Sequence, residues 1–451
     1  MPDAVPDTVG LSLRGNFSWT LAGNVVYACC QWGMLTVIAK IGSPEMVGRF
    51  ALGLAVTAPV FMFASLRLRA VLATDSSSGY VFGDYLALRY VTIVFAMLAV
   101  LGIVIAARYR LEVAAVIMAV GLAKAFESIS DVHYGLCQQR ERMDRIAASM
   151  IIKGPLSLVA LGVGVYLTHS VFWGSVGLAA AWALVLAAYD ARSGAFLARL
   201  SHDPLPGALL TRLASRLRDA ESMFRRSGDT LAPRWRWRTM IDLTALSLPL
   251  GTAMMLVSLN TNIPRYFVER CLGEWNLGIF AAMTYLMVAG VTVVSALAQS
   301  AIPRLARHYA NGDRGAFTSL LAKLVGFGTL VGFTGLCVAL FAGRWALNIL
   351  YGPAYAEHAK VFALVSAASI ISLMQWFLSN GMTAARYFRV QVPLYASATL
   401  ITAFASLWLI PRYGLMGAAL TLLVTETALA SGTLAIDIYA ISRIGGRTTK
   451  A

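Results

Sequence analysis

Charge is what this sequence has least of. Only 13% of its residues are Asp, Glu, Lys or Arg, while 58% are hydrophobic; ordinary soluble domains carry roughly 25% and about 45–50%. That shortage excludes a single water-soluble core, which would have too little polar surface to face solvent. Acids are scarcer than bases: 22 Asp and Glu against 37 Lys and Arg leave a formal net charge of +15. In a soluble chain such an excess would point to nucleic acid. Here the cations gather between apolar segments, the pattern of membrane anchors, so nucleic-acid binding is not expected.

Metal and redox motifs are missing too. The five cysteines (Cys29, Cys30, Cys137, Cys271, Cys337) form no C-x-x-C pair, which argues against a disulfide framework or a zinc site. The five histidines fall in five different predicted loops, and no two lie three or four apart. A helix-borne metal pair is therefore not expected. No G-x-x-x-x-G-K-[ST] phosphate loop occurs, which excludes nucleotide hydrolysis by that route. The apolar runs lack the two-residue alternation of barrel strands, so a transmembrane barrel is excluded as well.

What is present is long apolar blocks, such as 25–40, 54–66, 91–107, 156–166 and 394–410. A hydrocarbon core of about 30 Å takes about 17–25 such residues per helix, and lipid forces every backbone amide to find its partner inside the helix. The expectation is an all-α polytopic membrane protein of about twelve spans, near 19–40, 47–66, 86–106, 111–128, 150–168, 171–190, 243–263, 277–299, 325–343, 360–382, 391–410 and 415–439. The first 18 residues carry Asp3, Asp7 and Arg14 rather than a basic leader, so the first span is expected to be retained.

Cations then set the orientation. Arg14, Arg67, Arg69, Arg140, Arg142, Arg145, the Arg-rich stretch 192–238, Arg304, Arg307, Arg314, Lys323, Arg386, Arg389 and Arg443 share one side. The other side shows only scattered cations such as Arg108, Arg270 and Arg412. Both termini are expected in the cytoplasm, and the membrane is expected to be the cell inner membrane. One long loop separates the sixth and seventh spans. In it Leu210, Leu213, Leu217, Ala220 and Phe224 recur at steps of three and four, an amphipathic helix suited to an anionic leaflet. The expected organisation is an N-lobe over 1–190, a basic cytoplasmic linker over 191–239, and a C-lobe over 240–451.

The two halves echo one another. Ile41-Gly-Ser-Pro-Glu-Met-Val-Gly-Arg-Phe-Ala51 after the first span matches Leu272-Gly-Glu-Trp-Asn-Leu-Gly-Ile-Phe-Ala281 after the seventh. Trp173-Gly-Ser-Val-Gly-Leu-Ala179 likewise matches Tyr413-Gly-Leu-Met-Gly-Ala-Ala419. Glycines so placed suit tight turns and closely packed helices. Two six-helix repeats joined by a linker, with a substrate path between them, are a transporter architecture.

These motifs also carry a family resemblance. Ser258-Leu-Asn-Thr-Asn-Ile-Pro-Arg-Tyr-Phe-Val-Glu-Arg270, Ile302-Pro-Arg-Leu-Ala306, Leu350-Tyr-Gly-Pro-Ala-Tyr355 and Ile410-Pro-Arg-Tyr-Gly-Leu-Met-Gly-Ala-Ala419 resemble oligosaccharide flippases. So do Val26-Tyr27 with Gln31, Pro59 with Leu66-Arg-Leu-Arg69, and Tyr134-Gly-Leu-Cys-Gln-Gln-Arg-Glu-Arg-Met143. The resemblance spans about residues 18–440 and is to the polysaccharide-transport (O-antigen flippase-like) branch of the multidrug/oligosaccharidyl-lipid/polysaccharide (MOP) exporter superfamily. It implies two six-helix lobes forming a V around a central cavity. It further implies the flipping of undecaprenyl-diphosphate-linked oligosaccharide repeat units from the cytoplasmic to the outer leaflet, for cell-surface polysaccharide biosynthesis. Partners so implied are the polyprenyl-diphosphate-linked oligosaccharide, membrane lipids and other polysaccharide-assembly membrane proteins.

Moving an anionic headgroup through hydrocarbon calls for cations inside a water-filled cavity. Arg265, behind Pro264 and near Asn260 and Asn262, is the first candidate; its alternative is an interfacial anchor. Lys124 with Glu127 one turn on is either a headgroup cation or a structural pair. Lys153 and Arg49 complete the candidate set with Asn262. Lys153 has snorkelling as its alternative, and Arg49 an ion pair with Glu45. Glu426, deep in the last span, would be protonated, paired or used to couple transport to an H+ or Na+ gradient; no other cofactor is expected. The aromatics at span ends (Trp19, Trp32, Trp173, Trp345, Trp376, Trp408, Tyr413) read first as interfacial belts.

Two rivals remain. A membrane glycosyl polymerase or ligase would need an ordered outer domain, and the longest outer loops, about 264–276 and 344–359, are too short for one. Catalysis is therefore not expected. A drug or cation antiporter of the same superfamily predicts an acid-rich first lobe, whereas Lys124, Lys153 and Arg49 lie there.

Overall fold

In the computed structural model, residues 13–74, 80–194, 232–385, 387 and 390–443 are described. The amphipathic segment around Leu210–Phe224 lies outside them. The described chain runs α1 (Leu13–Ile41), α2 (Pro44–Ser65), α3 (Leu68–Thr74), α4 (Phe82–Ala106), α5 (Leu111–Gln139), α6 (Met143–Thr168) and α7 (Val171–Val185). A π-helical turn, Leu186–Asp190, extends α7. Then follow α8 (Trp237–Ala310), α9 (Arg314–Leu350), α10 (Pro353–Ala356), α11 (Ala359–Ala384) and α12 (Gln391–Ser442).

Among the described residues, ten helices are long and apolar enough to cross a membrane. Two of them are double. At Gly273 the backbone turns to φ 85° and ψ 174°, and at Gly414 to φ 57° and ψ −134°, positive-φ conformations that favour glycine. The chain reverses at each. Arg265 Nη2 lies 3.3 Å from Thr284 Oγ1, whereas nineteen residues of straight helix would separate them by about 28 Å. Thr402 and Thr425 share a 2.9 Å hydroxyl hydrogen bond across Gly414. Counting the limbs gives twelve spans in a multi-pass membrane protein.

Local chemistry sets several ends. Ser43 caps α2 by accepting from the Met46 amide, and Pro44 occupies the first turn, where its missing N–H costs nothing. Asp313 Oδ1 accepts from Ala316 N to open α9. The helices overrun the expected spans: α5 continues to Gln139, beyond the expected end near 128. Hydropathy marks the hydrocarbon, whereas a helix continues through the interface.

Helices α1–α7 pack as one lobe and α8–α12 as the other. Their principal meeting is α2 against α8. Here the repeated Gly-x-Phe-Ala motifs come face to face. A Cβ on Gly48 would sit 1.9 Å from Glu274 O, and one on Gly278 would sit 1.9 Å from Pro44 O. Each glycine thus meets the carbonyl four residues before the other, a contact with local two-fold symmetry. Small residues at a crossing let backbones approach this closely.

Two ends can be distinguished: the turn end, with Gly42, Gly273 and Gly414, and the linker end, with the chain joining α7 to α8. At the turn end one continuous apolar core spans both lobes, including Met34, Phe50 and Ile117 from the first and Phe280, Tyr355 and Ile410 from the second. At the linker end the cores are separate. One holds Leu68, Tyr85 and Val132 with the start of α8 (Met240, Leu243). The other holds Leu305, Phe317 and Phe377. The lobes share one core at the turn end and hold two cores toward the linker end, where α8 stays packed on α2 with Gly251 against Phe63 O.

Candidate translocation site

Arg265 lies two turns before Gly273 on the first limb of α8 and is 8% exposed. Its Nη1 donates to Asn262 Oδ1 at 3.1 Å, its Nη2 to Thr284 Oγ1, and its guanidinium carbon stands 5.2 Å from the Tyr285 ring centroid. Asn262 is held by Ser258, donating to its carbonyl at 2.8 Å. Nε of Arg265 and both side-chain polar atoms of Asn260 find no partner. Among the described residues no carboxylate pairs with Arg265. Pro264 lacks an N–H and so leaves the Asn260 carbonyl without its helical donor. The next side chain, Tyr266, donates across the lobe boundary to Ala55 O at 2.5 Å. Arg265 is therefore a buried cation beside the seam, dressed only by neutral groups.

The first lobe presents its cations differently. Lys124 Nζ pairs with Glu127 at 2.7 Å, both about a third exposed or less, and stands 5.2 Å from the Trp182 ring centroid. Tyr27 donates to the same carboxylate at 2.8 Å. Lys153 is 2% exposed and points into the lobe rather than to the interface. Its Nζ donates to Ser130 Oγ at 2.9 Å, to Tyr134 OH at 3.0 Å and to Asp190 Oδ2 at 3.3 Å. Ser149 completes the set by donating to Asp190 Oδ1 at 2.5 Å. Burial without pairing would be costly for either ion, so the network accounts for both. Asp190 ends the π turn, a backbone irregularity often found at functional positions. Its position at the edge of an apolar run hid it in the sequence.

Arg49 sits at the turn end, away from these groups. It pairs not with Glu45 but with Glu112 of its own lobe at 2.8 Å and Glu274 of the other at 2.6 Å. It borders a depression of about 800 Å³ over the seam, together with Arg108, Tyr109, Glu269 and Arg270. Burial there, with Glu269 nearby, pushes the Tyr109 phenol up to about 12. Glu426 lies in the second limb of α12 beside Ser372, and its Oε2 has no partner. The same limb carries an acid that sequence reading missed. Asp437 is 1% exposed, neither oxygen has a partner, and it packs against Gly381.

The candidates thus fall into four places: Arg265 with Asn262 at the seam, Lys124 and Lys153 inside the first lobe, Arg49 across the turn end, and Glu426 in α12. The similarities of the chain bear on what such an arrangement does. No family model matches the sequence. The chain is 27% identical over 416 residues to the capsular polysaccharide biosynthesis protein CapF of Staphylococcus aureus, covering 91% of this chain and 96% of that one. It superposes on an inward-facing multidrug resistance MATE family transporter of the MOP superfamily with a TM-score of 0.64 at 12% identity. That match covers 98% of this chain and 97% of the other. The chain therefore shares the fold of that transporter. An outward-facing MATE transporter gives 0.59 at 11% identity over 95% of both chains. A MOP superfamily transporter from Pyrococcus furiosus, described as having a binding pocket of reverse polarity, gives 0.61 at 13% identity over 95% of both. The chain thus has a two-lobed MATE-like fold.

Proposed function

We propose that this transporter flips a polyprenyl-diphosphate-linked oligosaccharide repeat unit from the cytoplasmic to the outer leaflet of the inner membrane. The observation that carries the reading is Arg265, a buried guanidinium at the lobe seam with no carboxylate to neutralise it. A membrane protein keeps such a cation at considerable cost, roughly 2.5–3.5 kcal/mol on insertion scales, unless a ligand or partner supplies the missing charge. A diphosphate is an anion that a planar guanidinium binds bidentately. Asn262, Thr284 and the unpartnered Asn260 add neutral polar groups for sugar hydroxyls. Lys124 and Lys153 are each neutralised by an acid, Glu127 and Asp190, so the first lobe offers its charge only where those pairs open. The CapF relative supports a lipid-linked sugar as cargo, and the cation surplus at the linker end supports a cytoplasmic placement of that end.

On this reading the lobes are open to the cytoplasm, sealed outside by α2 and α8, and alternate by rocking over the shared apolar core. The headgroup passes through the cavity while the polyprenyl tail stays in lipid. Glu426 is the point at which an H+ or Na+ gradient acts. The test is to deplete the protein from its host and follow lipid-linked intermediates by leaflet. Accumulation on the cytoplasmic side, cleared by the wild-type chain but not by Arg265→Ala, is expected. Absence of any accumulation, with new sensitivity to cationic dyes, would instead identify a drug antiporter.

A further inference from the structure

The linker end of the first lobe holds a second cluster of arginines. Arg69, just after the α2–α3 elbow, and Arg89, in α4, both converge on Asp131 of α5, at 3.5 Å and 3.7 Å. These are long for charge-assisted contacts, which close to about 2.7–2.9 Å when well made. Arg89 is 1% exposed. It donates from Nη1 to Ala64 O at 3.3 Å, which helps to cap α2. Its Nε and Nη2 have no hydrogen-bond partner at all. Two buried donors of a charged group are thus left without a hydrogen bond, one of them, Nη2, 3.7 Å from Asp131 Oδ2. Arg67 adds a third guanidinium on the elbow itself, where both Leu66 and Arg67 adopt left-handed conformations, φ 47° and 48°, uncommon for residues other than glycine.

The cluster lies at the linker end. Arg67 Nη1 reaches Met254 Sδ on α8, 3.7 Å away, so the elbow faces the opposite lobe. Arg69 Nε is held at 3.0 Å by Gln138 Oε1, which fixes the guanidinium plane with Nη1 toward Asp131. It also stands over the Tyr134 ring, 5.6 Å from its centroid, and the Tyr134 hydroxyl accepts from Lys153. Two guanidiniums, those of Arg69 and Arg89, share one carboxylate that is a third exposed, with Arg67 on the elbow nearby. The local balance is positive, and the one acid is replaceable.

We propose that this cluster is a diphosphate-capture subsite at the cytoplasmic mouth, with Asp131 as a placeholder that the headgroup displaces. The inference rests on the flippase reading, to which it adds a first binding position distinct from Arg265. A diphosphate as a whole carries more charge than the single carboxylate and brings several acceptor oxygens. It can satisfy the orphaned donors of Arg89 and take up Arg69 bidentately once Asp131 swings toward solvent. Because Arg69 stacks on Tyr134, capture is felt directly by the buried Lys153–Asp190 network.

The experiment uses the full-length chain in nanodiscs of phosphatidylcholine, titrated with undecaprenyl diphosphate and, separately, with inorganic pyrophosphate, with the melting temperature of every variant measured alongside. Arg69→Ala is expected to weaken both ligands by about tenfold or more. Asp131→Asn is expected to bind both several-fold more tightly, a gain that misfolding cannot imitate. Asp131→Asn binding as wild type or more weakly makes Asp131 a structural partner and overturns the proposal. So does undecaprenyl diphosphate binding that is indifferent to Arg69→Ala, a sign that only the lipid tail is recognised. If the wild-type chain binds neither ligand, the flippase reading falls with the subsite. If it binds both but ignores the two substitutions, the subsite alone falls.

Discussion

Replacing Gly48 by alanine would test the turn-end seal most directly. The added methyl would stand 1.9 Å from the Glu274 carbonyl oxygen, where about 3.0 Å is the closest real Cβ contact. The atom in the way is backbone on a packed helix, so α2 and α8 must part by about 1 Å. Overpacking of this kind costs about 1–3 kcal/mol, and it falls only on the conformation in which Gly48 and Gly278 touch. The equilibrium should therefore move toward the turn-end-open state by about 5–150-fold. Spin labels at the exposed Thr168 and Trp345 would report the turn end, and labels at Glu141 and Asn311 the linker end, all on a cysteine-free background. The expected result for Gly48→Ala is a longer turn-end distance and a shorter linker-end distance. Gly278→Ala should behave alike, since its methyl meets Pro44 O at the same 1.9 Å. Unchanged distance distributions in both variants would show that the glycine crossing does not hold the lobes together, and the seal would have to be sought in the apolar core alone.

Three further outcomes follow from the described contacts. Asp190→Asn should leave Lys153 charged and unpaired inside the lobe and cost about 3–5 kcal/mol, seen as a lowered melting temperature; the double variant Lys153→Met/Asp190→Leu should recover most of it. For Arg49 and Glu274, a double-mutant cycle on thermal stability should give a coupling of only about 0.5–1 kcal/mol, since the pair is partly exposed, and about 0.5 M salt should reduce it. A coupling above about 3 kcal/mol would mean that the pair is far drier than its exposure suggests. Glu426→Gln should abolish gradient-driven transport in proteoliposomes while leaving substrate binding intact; transport at the wild-type rate would remove Glu426 from the coupling scheme.

The spans were legible because lipid permits few alternatives: a run of about twenty apolar residues must be a helix, whatever packs around it. Gly48 and Gly278 were legible as members of a repeated Gly-x-Phe-Ala motif, although not as each other's contact. The partners of the cations were not legible. Arg49 finds Glu274 across 225 positions of sequence, and no local spacing announces such a pair. Asp131 escaped notice because hydropathy falls away near residue 128 while α5 continues for three more turns, carrying Ser130, Asp131, Tyr134 and Gln138 on ordered backbone. Asp190 and Asp437 escaped for a related reason. A lone acid near the end of an apolar run has the pattern of a boundary, and only the tertiary structure shows it fully buried.

The Lys153–Asp190 pair also bears on how the chain is made. Lys153 lies in α6 and Asp190 at the end of α7, with only residues 169–170 between those helices. During synthesis Lys153 leaves the ribosome first, and at that moment α6 offers the bilayer an unneutralised ammonium, a penalty of up to roughly 2.5–3.5 kcal/mol. The penalty disappears once Asp190 arrives 37 residues later and the two helices pack. The α6–α7 hairpin is therefore a more favourable inserting unit than α6 alone.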